Sequence, residues 1–246
     1  MKSLVIVPTY NERDAIPEVI RRLFDAADPD THLLVVDDGS PDGTAAIVKE
    51  LAAGPHEIEL LERNGKQGLG TAYVTGFKWA FDRGYEAVVE MDADLSHDPA
   101  DVPRLLAGLD QAELAIGSRY VPGGGVGNWG RARRILSAGG NLYARAWLRY
   151  KVKDSTSGFR AYRTDFLSTL ELDSVSSEGY AFQIEMTRRV SRAGGRIVEV
   201  PITFIERAHG KSKMSRKIVA EALVRVAGWG IKDMFGKKTA GRRPPM

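Results

Sequence analysis

Short apolar runs alternate with segments of helical periodicity through the first half of this chain, and that alternation limits what it can fold into. Leu4-Val5-Ile6-Val7 reads as a buried strand ended by Pro8, with a turn at Asn11-Glu12. Asp14 then stands as an N-cap ahead of Ile16, Val19, Ile20, Leu23 and Phe24, which recur at helical spacing. Residues 32–36 form a second strand closing in Asp37-Asp38-Gly39-Ser40, residues 44–53 a helix, and residues 57–61 a third strand. A glycine-punctuated loop, Asn64-Gly65-Lys66-Gln67-Gly68-Leu69-Gly70, opens a helix that runs to about Arg83. A fourth strand over 87–91 leads into Asp92-Ala93-Asp94, and residues 112–116 are a fifth. Strands separated by helices of about ten to fifteen residues imply βαβ units and a mostly parallel sheet flanked by helices.

The second half is less regular. Pro122-Gly123-Gly124-Gly125 marks a mobile loop, 131–149 an arginine-rich helix, 164–171 and 180–193 further helical patterns, and 196–205 a last strand. In 216–235, Val219, Ala222, Leu223, Val226 and Trp229/Gly230 make an apolar stripe, with Lys217, Glu221, Arg225 and Lys232 on other faces. Such a helix serves equally to pack on a core or to lie on anionic lipid. The basic tail, 239–246, is expected to be disordered.

Composition closes off several chemistries. The 246 residues contain no cysteine, which excludes disulfides, thiolate zinc sites and cysteine nucleophiles. No apolar run approaches the ~20 residues that cross a bilayer. The first residues run directly into a strand without a signal-peptide core, so an intracellular, non-spanning chain is expected. Net charge is +3, yet residues 207–246 carry eleven Lys and Arg against Glu221 and Asp233. That basic segment suits nucleic acid, anionic lipid or a phosphorylated substrate, and charge alone does not choose.

In open parallel sheets, ligands bind beyond the carboxyl ends of the strands. The polar clusters fall there: residues 8–12, 37–40, 92–94 and Gly117-Ser118-Arg119. Asp92 and Asp94, at i and i+2 of an extended segment, point to one side, and two converging carboxylates repel unless a cation lies between them. Hard oxygen ligands at an open site suit Mg2+ or Mn2+ shared with phosphate oxygens. His97 is either a further ligand or a cap for the Asp98-Pro99 turn. An acid at the position of Asp38 suits hydrogen bonds from a base or ribose. Phe182 and Met186, beside Glu185, read as core, or as the wall of an acceptor-lipid site. Arg207 and Lys213 lie in a Gly-containing loop suited to fold over a diphosphate.

Other motifs fail on context. Gly125-Val126-Gly127-Asn128-Trp129-Gly130 matches the dinucleotide fingerprint in letters but lies mid-chain after three further residues of loop. Gly210-Lys211-Ser212 has Ile205 where a Walker A needs glycine, and no Gly-x-Ser-x-Gly elbow is present. Nucleic-acid binding lacks an aromatic-basic platform, so none is expected.

The blocks Val7-Pro8-Thr9-Tyr10-Asn11-Glu12, Val36-Asp37-Asp38-Gly39-Ser40, the 65–73 glycine loop, Met91-Asp92-Ala93-Asp94-Leu95-Ser96-His97, Gly117-Ser118-Arg119-Tyr120, Thr156-Ser157-Gly158-Phe159-Arg160 and residues 207–214 together resemble the family 2 glycosyltransferases. Within them the chain is most similar to the dolichol-phosphate and polyprenyl-phosphate mannose synthases. The resemblance implies the GT-A fold, a Rossmann-like α/β catalytic domain over 1–214. About 1–95 would form its nucleotide-sugar half and about 96–214 its acceptor half. An amphipathic helix would follow at 215–238, on the membrane surface.

By the same resemblance, Pro8, Tyr10, Glu12, Val36 and Asp38 would line the nucleoside pocket. Asp92 and Asp94, with the Ala93 backbone beside them, would hold Mg2+ or Mn2+ on the diphosphate. Arg119, Arg133 and Ser137 would meet the lipid phosphate, while Arg119, Arg207 and Lys213 would engage the donor. Asp94 and Arg119 would be the catalytic pair. Relatives often carry Gln where Ser96 stands, which makes Ser96 a candidate third ligand, direct or through water. The implied reaction moves mannose from GDP-mannose to a polyprenyl phosphate with inversion, on the cytoplasmic face of a membrane, with a separate membrane-anchoring protein as a conceivable partner. UDP-glucose or another sugar nucleotide is the alternative donor, and a nucleotide-binding scaffold the non-enzymatic alternative.

Overall fold

The computed structural model describes residues 1–205 and 216–235. Its strands and helices follow as β1 (Ser3–Thr9), α1 (Ile16–Ala26), β2 (Thr31–Asp37), α2 (Thr44–Ala52), β3 (Ile58–Glu62), α3 (Leu69–Asp82), β4 (Ala87–Glu90) and α4 (Val102–Gly108). Then come β5 (Leu114–Ser118), β6 (Gly125–Val126), α5 (Arg131–Leu148), β7 (Arg160–Arg163), α6 (Thr164–Leu167), α7 (Gly179–Arg192), β8 (Ile197–Pro201), β9 (Thr203–Phe204) and α8 (Arg216–Phe235). The central sheet has seven strands in the order β3-β2-β1-β4-β7-β5-β8. All run one way except β7, which is antiparallel to both β4 and β5.

Alternation along β1 divides the core into two layers. Leu4 and Ile6 face Phe77 of α3 and Phe182 of α7, while Val5 and Val7 face Ile16, Val19, Ile20 and Leu23 of α1. Burial on both faces is what near-continuous apolar strands require. The structure carries β1 through Pro8 to Thr9, where the sequence suggested a stop. Successive strand residues turn their backbone groups to opposite neighbours. Ile6 O accepts from Met91 N and Thr9 O accepts from Asp38 N, so Pro8 faces the β4 side, beyond the end of that ladder at Glu90. Its missing N–H therefore costs no sheet bond. Asp14 does not cap α1: the Ala15 and Ile16 amides donate to Glu12 O instead, and Pro17 occupies the first turn.

The last strand divides into β8, at the sheet edge, and β9, which leaves the sheet to pair with β6. Of the glycine-rich segment 122–125, expected as a loop, only Gly125 enters this ribbon. α8 lies against α5 and α7. Val226 is buried, a Cβ on Gly230 would meet Trp147, and Asp233 takes both Arg188 (2.8 Å) and Arg192 (2.8 Å). Among the described residues no helix is long and apolar enough to cross a membrane.

Candidate active site

Because β1, β2, β4 and β5 are parallel, their carboxyl ends deliver Thr9, Asp38, Asp92 and Arg119 to one edge of the sheet. The reversed β7 brings Thr156, Ser157 and Gly158 to that edge from its amino end. Together they wall a cavity of about 380 Å3.

Asp92, Ala93 and Asp94 all line it, yet they do not belong to the strand. They lie in a turn: Leu95 takes φ 60°, and the Ser96 N–H donates to Asp94 Oδ1 at 3.0 Å. The Ser96 hydroxyl is buried and absent from the cavity wall, whereas His97 lines the cavity with Nδ1 4.0 Å from Asp92 Oδ2. The imidazole stacks on Phe159 (5.0 Å) and meets Phe204 edge-on (5.4 Å), and Asp98, not His97, caps the next turn by accepting from Ala100 N. Carboxylates facing an open cavity fit a hard divalent ion. A divalent ion held by one or two carboxylates completes its shell with substrate phosphate oxygens.

A buried polar layer supports this floor. Arg160 is fully buried, and its guanidinium donates to Ser157 O (2.6 Å), Ser155 O (2.6 Å), Gln183 O (2.9 Å) and Thr187 Oγ1 (2.9 Å). Those bonds shape the 155–158 wall. Gln183, on the cavity, donates to Glu90 Oε2 at 2.8 Å. Burial pushes the Glu90 carboxyl up to about 7, against the pull of Arg160 and Gln183. Burial, with Asp92 and Glu90 nearby, likewise raises the Tyr73 hydroxyl well above its ordinary value.

The two acids ending β2 have separate tasks. Asp37 is a turn clamp, accepting from Thr9 Oγ1 (2.8 Å), Ser40 N (2.8 Å) and Ser40 Oγ (2.6 Å). Asp38 lines the cavity and is held by Arg63 Nε (2.6 Å) and the Gln67 N–H (3.2 Å). Arg63 also reaches Thr71 Oγ1 and Gly68 O, tying Asp38 to the glycine loop. Gly68 has φ 100°, and a Cβ there would lie 2.5 Å from Glu178 Oε2, the oxygen that accepts from Gly70 N. Only glycine serves both constraints. Pro8, Tyr10 and Glu12 complete this side, with Lys66 Nζ 4.8 Å above the Tyr10 ring. Val36, expected here, is instead fully buried in the core.

Opposite the carboxylates, Arg119 is 7% exposed and bound to Asp154 through Nε (2.7 Å) and a terminal nitrogen (2.6 Å). Burial works against the cation, but Asp154 outweighs it and the net shift is upward; Asp154 is correspondingly held below its ordinary value. A second cavity of about 440 Å3 opens beyond, between α5, α7 and α8. Ile135, Leu136, Ile184, Leu223 and Val226 give it apolar walls, and Ser137 stands among them. Arg119, Trp129, Arg133, Thr156 and Tyr180 belong to both cavities. Phe182 and Met186 are wholly core, so the wall α7 offers to the second cavity is Tyr180 and Ile184. Arg207 and Lys213 lie outside the described residues.

Sequence reasoning missed Arg63, Trp129, Glu178 and Gln183. Trp129 sat inside a rejected motif, and the other three act through partners remote in sequence, which no local pattern signals.

A parallel-sheet rim that gathers Asp92 and Asp94, with Arg119 and Arg133 where this cavity meets a more apolar one, is where an α/β enzyme places its site. Residues 4–170 match the family described as Glycosyl transferase family 2, and the chain belongs to that family and is a glycosyltransferase. It is 51% identical over 231 residues to the undecaprenyl-phosphate mannosyltransferase of Micrococcus luteus, covering 94% of this chain and 95% of that one. It is also 51% identical over 238 residues to the polyprenol monophosphomannose synthase of Mycolicibacterium smegmatis, covering 96% and 89%.

Among solved structures, the mannosyltransferase PcManGT of Pyrobaculum calidifontis, in complex with GDP-Man and Mn2+, superposes with TM-score 0.64 at 21% identity, over 97% of this chain and 66% of that one. The glucosyl-3-phosphoglycerate synthase of Mycobacterium tuberculosis, with Mn2+, UDP-glucose and phosphoglyceric acid, gives TM-score 0.65 at 22% identity, over 92% and 80%. At such identities the likeness carries the fold, which is the GT-A arrangement expected from the resemblance.

Proposed function

We propose that this glycosyltransferase moves mannose from GDP-mannose to a polyprenyl phosphate, giving polyprenyl-phosphate mannose and GDP with inversion at the anomeric carbon. The observation that carries the reading is the junction at Arg119 and Arg133, where a polar cavity floored by Asp92 and Asp94 meets an apolar one. A lipid phosphate fits such a pair of cavities: charge at the junction, chain between α5 and α8. The two mannosyltransferase relatives at 51% identity support mannose and the polyprenyl acceptor.

Pro8, Tyr10, Glu12 and Asp38 receive the nucleoside, Asp38 accepting from the base in an orientation set by Arg63. Asp92 and Asp94 would hold Mg2+ or Mn2+, which when bound offsets negative charge on the diphosphate. Arg119, Arg133 and Ser137 position the acceptor phosphate, and Arg207 and Lys213, outside the described residues, would engage the donor. A phosphate monoester has a second pKa of about 6, so it arrives at neutral pH mostly dianionic and needs no general base. Glu178 is accordingly occupied with the Gly70 amide. Transfer then depends on alignment and on charge neutralisation at the leaving diphosphate.

The acceptor is membrane-borne, and the protein meets it at the cytoplasmic face of a membrane, alone or with a separate anchoring protein. Ile135 (72% exposed) and Leu142 (63%) on α5, and Val224 (73%) and Phe235 (88%) on α8, support direct docking. Purified protein incubated with a short polyprenyl phosphate, Mg2+ or Mn2+, and either GDP-mannose or UDP-glucose tests the reading. Mannosyl lipid and GDP are expected; turnover of UDP-glucose alone would overturn the mannose assignment.

A further inference from the structure

Trp129 borders both cavities. Its ring lies 4.1 Å from the Arg133 guanidinium carbon and 5.4 Å from that of Arg119, with Phe204 edge-on at 5.3 Å. Asn128 before it takes φ 55°, and Gly130 after it leads into α5. The indole is thus placed between the β6–β9 ribbon and the helix that bears Arg133 and Ser137. It is 8% exposed, a large rigid plug where the polar and apolar cavities meet. An aliphatic side chain there would offer no π face to two cations.

We propose that Trp129 is a positioning residue for the acceptor: its face orients the Arg133 guanidinium at the junction, and its bulk keeps water out of the passage between the cavities. The inference rests on the acceptor reading of Arg119, Arg133 and Ser137 given above. Arg119 is already oriented by Asp154; the indole provides a corresponding plane for Arg133. Guanidinium is weakly hydrated and stacks well, so it can stay aimed at a phosphate without a surrounding water shell.

Water exclusion matters because two nucleophiles compete for one carbon. In transfer, a phosphate oxygen forms a bond to the anomeric carbon as the bond to the diphosphate oxygen breaks, and GDP leaves with that electron pair. In hydrolysis, water forms the bond, releases a proton to solvent, and the same GDP leaves with free mannose. A site that operates without a general base favours the dianion over neutral water, and excluding water from the junction widens that preference.

The test uses the full chain with Mn2+ or Mg2+, GDP-mannose and a short polyprenyl phosphate. Three quantities are measured: the acceptor KM, GDP release without acceptor, and GDP-mannose affinity by calorimetry. Trp129→Ala is expected to raise the acceptor KM about tenfold, the scale of a partly desolvated cation–π contact, and to raise hydrolysis relative to transfer. GDP-mannose affinity should fall by a smaller factor than the acceptor KM rises, and Trp129→Phe should restore most of the loss. Should Trp129→Ala not fold, Trp129→Leu, bulky but without a π face, should show the same raised acceptor KM. Unchanged acceptor KM and hydrolysis ratio in the Trp129 variants, while Arg133→Ala raises the acceptor KM, would overturn the role of Trp129 and leave the acceptor site standing. If Arg133→Ala is also without effect, the acceptor reading fails and this inference with it.

Discussion

The Arg119 guanidinium reaches the cavity junction with its charge already met by Asp154, a carboxylate that also accepts from the Arg119 amide at 2.9 Å. Its value to a phosphate therefore lies in fixed direction more than in unscreened charge. Asp154→Asn leaves that buried cation uncompensated and should cost about 3–5 kcal/mol in urea unfolding at pH 7. Asp154 has a lowered value in the folded state, so its contribution is fully present above the ordinary carboxylate range and is lost as pH falls through the depressed value. The stability gap between wild type and Asp154→Asn should accordingly narrow below about pH 4. Gly68→Ala puts a Cβ against the Glu178 carboxylate at an unfavourable φ; weakened GDP-mannose binding is expected, with a loss of about 1–3 kcal/mol in thermal unfolding. The carboxylate pair was legible because two acids beyond an apolar strand are conspicuous. Arg63 was not, since nothing between positions 38 and 63 announces that their side chains meet.

Among the elements, β7 shows how a strand escapes notice. Arg160-Ala161-Tyr162-Arg163 lacks the apolar character of a central strand, yet it lies between β4 and β5 with Ala161 and Tyr162 buried. Its first arginine is tolerated because carbonyl and hydroxyl oxygens from the 155–158 loop and from α7 receive the guanidinium. The α8 helix posed the opposite problem: its stripe was plain, but what the stripe covers was open. Val226, Trp229 and Gly230 pack on the fold, and α8 closes one wall of the apolar cavity. Gly230→Val would collide with Trp147, where even a Cβ lies 2.8 Å from the ring. It should lower stability by about 1–3 kcal/mol and raise the acceptor KM more than the donor KM, as steady-state assays would register.

For the molecule as a whole, the order of the strands gathers Thr9, Asp38, Asp92 and Arg119 at one rim, where the first cavity adjoins a second, more apolar one. The exposed apolar side chains of α5 and α8 belong to helices that wall the second, apolar cavity. Val224→Asp with Phe235→Asp should therefore lower binding to anionic liposomes in a flotation assay, while turnover of a short, soluble acceptor stays at the wild-type level. Undiminished liposome binding would show that these two positions do not dock. The sequence by itself determined the parallel α/β class, the sites of most strand ends and the acids at two of them, because periodicity and turn chemistry are local. Only the tertiary structure decided that β7 runs backwards into the sheet, that His97 and not Ser96 faces the cavity, and that Trp129 stands between two arginines. Those outcomes depend on contacts between segments far apart in the chain, which compete for burial and charge compensation in one shared core.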